Sequence, residues 1–540
     1  MSDRGHDGIV LGAGHNALVL QAYLCRAGLR VLSLERSEVP GGGQRTVENP
    51  RHPGFLHNTH SFFHRAVTAM PWYRDLELER HGARYIEPAR NVVLLLDDGR
   101  SIEWWTDLER TVETFARFSR RDAETLRHWV DEFEPIVERL IRPEAESAPL
   151  SPARRRELLE RSPAGRRLLE VSALSPLEFV EREFEDDTVR AGLLFFNGLR
   201  EVDLRLRGFG HAIPALLASR HKAQMCAGGS ARLADALVSD ICEHGGEVRC
   251  GVEPRSILTR GDRAVGVELV GGERLEATSF VASGLNPQQT FVDLLDADRA
   301  AGGVHETLRE FSRRAAKFRY NLIAPLFALN VALDAPPVYP SLEGSEPPFM
   351  VILGLEGLGG FREIVAAHEA GEIPPTVAWG ASPTLFDPSQ APPGKHTAFL
   401  WEKVPYALRG DPRRWEEEKP RHERALLDFW SRHAPNLSSA VIDAFSLSPV
   451  DTETSFPNMR RGDLLVGSFA GGQVGYHRPF PGAGEYRGGL AGLYLCGGST
   501  HPGGNTTGLC GHNAASVIAR DLGLDPWWNP VSVEERWREV

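Results

Sequence analysis

Cysteine is scarce in this chain, and none of it is paired. Cys25, Cys226, Cys242, Cys250, Cys496 and Cys510 are scattered over 540 residues without a CxxC pair. That excludes a zinc knuckle or a disulfide framework as the organising device, and it suits a reducing, cytoplasmic setting. Basic charge is also short. The 61 Lys and Arg stand against 73 Asp and Glu, a net charge of −12. Such a surface repels a polyanionic backbone, so nucleic acid is not an expected partner. Long apolar runs are missing too. The best stretch, Leu322 to Leu333, is broken by Pro325 and Asn330 and falls short of the roughly 18 to 20 residues that span a bilayer. Peripheral membrane contact stays open; spanning does not. The opening MSDRGHDG lacks the apolar core of a signal peptide, so none is expected. A GxSxG nucleophile signature, an internal repeat and a low-complexity tract are all absent.

Glycine, by contrast, is placed with purpose. Asp7 to Leu11 reads as a short buried strand, followed by Gly12-Ala13-Gly14-His15-Asn16-Ala17, a GxGxxA fingerprint. Leu18, Ala22 and Cys25 then share one face of a helix, Gly28 ends it, and Val31 to Leu34 forms a second strand. Glu35 closes that strand, 35 − 14 = 21 residues after Gly14. Gly12 permits the tight turn, and Gly14 lets a pyrophosphate approach the backbone. The N–H groups at the helix start face its negative charge, and Glu35 is placed for a ribose. Strand, glycine turn, helix, strand and acid in frame predict a dinucleotide site.

Two more glycine clusters point from a nicotinamide towards a flavin nucleotide. Pro40-Gly41-Gly42-Gly43-Gln44-Arg45-Thr46 follows the ribose acid and brings further backbone amides to the same phosphates. Near the other end, Leu493 to Cys496 reads as a strand. It leads into Gly497-Gly498-Ser499-Thr500-His501-Pro502-Gly503-Gly504-Asn505-Thr506-Thr507-Gly508 and then a helix. A glycine approach to a helix start is again an anion site, suited to the pyrimidine end of a flavin. No second fingerprint sits between a strand and a helix elsewhere, so a separate nicotinamide site is not expected.

Here the chain resembles the phytoene-desaturase-like and carotenoid-isomerase-like flavoproteins, the phytoene-dehydrogenase-related proteins. The resemblance runs through VLGAGHNALV, LERSEVPGGG, CAGGSARLADAL, AVGVELVGGERLEA and LYLCGGSTHPGGNTTGLCGHNAA, in that order. It implies an α/β fold: a discontinuous Rossmann-like FAD-binding domain of the glutathione-reductase-like, amine-oxidase or phytoene-desaturase type, with a mixed α+β substrate domain. It implies FAD as cofactor, with phosphates at Gly12, Gly14, Gly497 and Gly498 and the ribose at Glu35. The ring edge would lie near Thr507 and Gly508. Val252, on the strand after Gly246, would meet the adenine through its backbone. Asn16, Arg36, Gly42, Gly43 and Gln44 complete the expected contacts. Gly43 stands where many relatives have alanine.

The FAD-binding lobe is then expected from residues 1–65, 225–300 and 450–525, and the substrate lobe from 66–224 and 301–449, with 526–540 as a C-terminal tail. Residues 107–200 read as charged helices. Residues 315–405 read as strands (Leu326 to Leu333, Phe349 to Leu353, Thr397 to Trp401) that could roof the flavin. The resemblance implies dehydrogenation across a carbon–carbon bond, or double-bond isomerisation. The rival from another class is a prenyl-binding protein of the GDP-dissociation-inhibitor type, against which the intact C-terminal glycine segment speaks.

Histidine is the local oddity. His52, His57, His60 and His64 crowd one short stretch, and His501 lies in the glycine-rich loop. An imidazole, with its ordinary pKa near about 6.5, could take the proton that accompanies hydride loss, so His501 and His60 are the candidate catalytic residues. His57, His60 and His64 have helical spacing, yet no carboxylate joins them, and no metal is expected. Four histidines, Asn58 and Arg65 near the pocket suit a hydrophobic or amphipathic small molecule better than a long carotenoid.

Overall fold

The computed structural model describes residues 5–197, 203–295 and 304–540. Met1 to Arg4, residues 198–200 of the expected helical stretch and 296–300 of the segment 225–300 lie outside them. Two seven-stranded sheets carry the architecture.

The first sheet is ordered Glu247–Arg249, Val31–Leu34, His6–Leu11, Arg274–Ser283, Arg263–Leu269, Pro254–Arg260, with Leu493–Leu495 also paired to Arg274–Ser283. Its centre is parallel: Leu11 pairs with Leu34 on one side and Ser283 on the other, and Ser283 pairs with Leu495. Ile9, Val10, Leu11, Leu32 and Leu34 are buried, because helices cover both faces of a parallel sheet. The antiparallel flank turns at Gly271-Gly272, where the spacing predicts a hairpin.

Helix His15–Arg26 lies against helix Leu509–Leu522. They approach so closely that a Cβ on Gly511 would stand 1.9 Å from the Asn16 carbonyl oxygen. One glycine thus brings the two ends of the chain together.

The second sheet is ordered Val441–Leu447, Leu326–Leu333, His396–Lys403, Ala378–Ala381, Met350–Leu353, Arg90–Leu95, Ser101–Trp105. All pairs are antiparallel except Met350–Leu353 with Arg90–Leu95. The strands 90–95, 101–105, 378–381 and 441–447 extend the sheet beyond the three runs legible in the sequence. Arg90 and Glu103, both buried, form a bidentate pair across its edge hairpin. Helices between Leu108 and Leu217 cover one side.

Two readings need correction. Val252 is not on a strand: Glu247–Arg249 has ended, and the Val252 N–H donates to the Glu35 carbonyl. His57, His60 and His64 do not share a helix face. His57 lies on Leu56–Asn58 and His64 on His64–Arg65, two short strands in separate sheets. Residues 526–540, expected as a C-terminal tail, pack against the rest of the chain. Trp528, Val533 and Trp537 are buried, the Trp537 indole donates to the Leu140 carbonyl, and Arg154 of the charged stretch pairs with Glu534. Among the described residues no helix is long and apolar enough to cross a membrane, and no group of three His, Cys, Asp or Glu could hold a metal ion.

Candidate active site

The N-terminal cradle follows from backbone geometry. Gly12, with φ +88°, donates its N–H to the Leu34 carbonyl and turns the chain sharply. Gly14 precedes helix His15–Arg26 without any side-chain cap, so first-turn N–H groups remain for an anion. A Cβ on Gly14 would meet no atom within 4 Å, so open space lies before it. The second cluster folds over the first. The Gly41 N–H donates to the Ala13 carbonyl, and Gly42, with φ +58°, has room for a Cβ only 3.3 Å from the Gly14 Cα.

Two cavities meet at this pinch, sharing Gly14, Gly42, Gly284, Phe456 and Asn458. One contains Gly12, Glu35, Arg36, Glu253 and Pro254. Glu35 accepts from the backbone N–H groups of Ala13 and Ser37, which orient its carboxylate. Arg36 reaches the carbonyls of Thr454 and Ser455 at 3.4 Å. The other cavity is bounded by Gly14, Asn16, Gly43, Gln44, Gly497, Gly498 and Thr506 beneath an aromatic roof of Phe62, Phe63, Trp379 and Trp401.

The C-terminal loop is braced from behind. Arg478 is fully buried, and its guanidinium donates to the carbonyls of Gly467, Ser468, Gln473, Gly498 and Thr500. Burial lowers its pKa to about 10, so it stays charged near neutrality. Thr506 reaches the cavity wall, whereas Thr507 and Gly508 turn away. The Trp72 indole takes the Thr507 carbonyl at 2.5 Å, and a Cβ on Gly508 would strike that indole at 2.4 Å.

The two candidate histidines part company. His60 is on the cavity wall, its Nε2 3.2 Å from the Thr452 hydroxyl, and burial together with the neighbouring Arg45 charge lowers its pKa to about 4. His501 is not on that wall. Its Nε2 donates to the Glu144 carbonyl at 2.9 Å, and burial lowers its pKa as well. Sequence reasoning missed Arg45, Arg478, Trp401 and Lys403. Period-two alternation on His396–Lys403 was a usable signal, because Trp401 and Lys403 share the face that lines the cavity.

The buried groups suit an extended dinucleotide. Arg45 Nε and Nη2, Gln44 Oε1 and Asn16 Oδ1 have no hydrogen-bond partner among the described residues, and such orphaned groups are costly unless a ligand meets them. A cation and a helix start match phosphate; two amide carbonyls match hydroxyl and ring N–H donors.

Comparison with known proteins agrees. Residues 10–76 match the NAD(P)-binding Rossmann-like domain family. The chain is 30% identical to one of the subunits of limonene dehydrogenase from Castellaniella defragrans, across 97% of this chain and 96% of that protein. It is 24% identical to the lycopene-forming phytoene desaturase of Pseudescherichia vulneris, across 95% and 99%. The chain belongs to the phytoene-desaturase-like family of flavin-dependent oxidoreductases. In fold this family member is similar to cyclohexylamine oxidase of Brevibacterium oxydans, with a TM-score of 0.59 at 14% identity over 96% of this chain and 100% of that one. Its activity is that of a dehydrogenase or desaturase.

Proposed function

We propose that this oxidoreductase holds FAD across the two joined cavities and dehydrogenates a small hydrophobic or amphipathic molecule, of the size of a monocyclic terpene. The observation that carries the reading is the pinch at Gly14 and Gly42, with Arg45 laid over the Phe456 ring that both cavities share and its Nε and Nη2 without a hydrogen-bond partner among the described residues. In this reading the adenosine lies by Gly12, Glu35, Arg36 and the Val252 backbone. The phosphates meet the helix start and Gly42, and the flavin lies by Gly43, Gln44, Gly497 and Gly498, with Thr507 and Gly508 behind Thr506. The segments 1–65, 225–300 and 450–525 form the FAD lobe; 66–224 and 301–449 form the substrate lobe.

When bound, the flavin supplies the hydride acceptor. The chain supplies enclosure and a proton site. Phe62, Phe63, Trp379 and Trp401 exclude water and offer an apolar face, which suits a terpene-sized hydrocarbon; a relative named for limonene supports that class. His60, held neutral and on the cavity wall, is the side chain we assign to accept the substrate proton. His501 serves at one remove, tying the glycine loop to the Glu144 backbone.

Purified protein should be yellow, release FAD on denaturation, and desaturate cyclic monoterpenes in the presence of an artificial electron acceptor. A colourless protein that takes up no FAD on reconstitution would end the proposal.

A further inference from the structure

A third cavity, of about 270 Å³, shares no lining residue with the two joined cavities. Helices Arg120–Ile136 and Ala212–Leu217 close it on one side, and strands Arg90–Leu95, Ser101–Trp105 and Met350–Leu353 on the other. Val92, Leu126, Val130, Leu217 and Met350 make most of the wall apolar. The polar end is the turn after Leu217, where Ser219, Arg220, His221 and Lys222 reach the wall. Arg65, whose strand pairs with Ala223, lines the same end.

Lys222 is the unusual member. Its Nζ donates to the Ser219 carbonyl at 2.8 Å and reaches the Leu217 carbonyl at 3.5 Å. A lysine on the last carbonyls of a helix is ordinary capping. Capping leaves one of the three ammonium hydrogens over, and it leaves the charge unbalanced. Lys222 has no ion-paired carboxylate among the described residues. Glu87 acts on it only through space. The Glu87 oxygens take the Lys222 backbone N–H at 2.6 Å, the Gln224 amide at 3.0 Å and the His221 ring at 3.2 Å. Glu134, also on the wall, is held by Arg220 at 2.7 Å. Burial lowers the Lys222 pKa to about 8. A cation in an apolar setting without a counter-ion costs stability until an anion joins it.

Shape and charge together define the guest. An apolar cavity of about 150 Å³ takes a benzene ring, so this one suits a body of roughly ten carbons. We propose that the cavity is a second ligand site, which takes a monocarboxylate with an apolar body of roughly ten carbons, its head on the Lys222 ammonium. The carboxylate accepts the left-over hydrogen and balances the charge, while the apolar wall takes the body. An amine of the same length meets Lys222, Arg65 and Arg220 instead. The inference is independent of the flavin reading.

Calorimetric titration of the purified protein, cofactor included, with sodium decanoate tests it. Decanoate should saturate one site and bind at least roughly tenfold tighter than decylamine. Lys222→Met should weaken decanoate about ten- to a hundredfold, the worth of a hydrogen bond to a charged group. Val130→Phe, which adds bulk to the wall and leaves the charge alone, should weaken it too. The response to pH is a separate readout. Lys222 loses its proton as pH rises through about 8, so wild-type affinity for decanoate should fall between pH 7 and pH 10. Lys222→Met should lose this slope while keeping Glu87, Glu134, Arg65, Arg220 and His221, the other charged or titratable groups around the site. Decanoate bound no tighter than decylamine, wild-type affinity in Lys222→Met or Val130→Phe, or a flat wild-type pH profile overturns the proposal. Should Lys222→Met fail to fold, Val130→Phe and the wild-type pH profile decide.

Discussion

At the scale of single residues, buried cations do most of the organising. Arg45 lies over the Phe456 ring at the pinch while its Nε and Nη2 have no hydrogen-bond partner among the described residues, and replacing it tests a pairing with phosphate directly. Arg45→Met should weaken FAD binding by about ten- to a hundredfold, the range for hydrogen bonds to a charged group, read by fluorescence titration of the apoprotein. The same change removes the like charge that helps depress His60. The His60 pKa should therefore rise from about 4 in the apo variant, as followed by histidine NMR. Arg478 is the opposite case, a cation with five carbonyl partners. Arg478→Met would take the shared donor from all five, leaving the Gly467, Gln473 and Gly498 carbonyls without it in a dry interior, while Ser468 keeps Gln473 and Thr500 keeps the Cys510 thiol. A loss of about 3 kcal/mol or more is expected from urea unfolding, with the Gly497-Gly498 loop loosened and flavin lost more easily.

At the scale of elements, close approach decides. Helices His15–Arg26 and Leu509–Leu522 can touch because Gly511 has no side chain; a Cβ there would overlap the Asn16 carbonyl at 1.9 Å. Overpacking of this kind costs about 1–3 kcal/mol. Gly511→Ala should lower thermal stability and also weaken FAD binding, since Asn16 stands on the cavity wall. If the variant melted and bound FAD like the wild type, the helix contact would not govern the site. The strand His396–Lys403 acts differently. Its alternation sends Trp401 and Lys403 to the cavity, and Lys403 anchors on the Ala324 carbonyl at 2.7 Å.

At the scale of the whole molecule, buried histidines set the response to acid. Burial is the largest cause lowering the pKa to about 4 at His15, His57, His60, His211 and His368, and to about 3 at His64. In the unfolded chain each titrates near about 6.5. Between those values the unfolded state binds more protons, so stability rises with pH across the window and falls as pH drops from about 6.5 to 4. Urea midpoints measured at pH 7.5 and at pH 5 should differ clearly, the lower pH being the weaker. Equal midpoints would show that these imidazoles are wetter than their burial implies.

Much of this was legible in the chain itself. Gly12, Gly14, Gly42 and Gly497 stand out because a tight turn or close backbone approach is a local demand, met by one residue type at a fixed distance from a strand and a helix. The resemblance to a flavoprotein family rests on the same stretches. What stayed hidden was any contact between segments far apart. Nothing near His501 in sequence says that Glu144 will occupy its ring. His60, His57 and His64 looked like neighbours on one helix because spacing is all a sequence offers, and the strands separated them. The sequence alone therefore determined where backbone could cradle phosphate. The tertiary structure decided which side chains face the cavity and which are spent on holding it, because burial and hydrogen-bond partners arise only when distant segments pack.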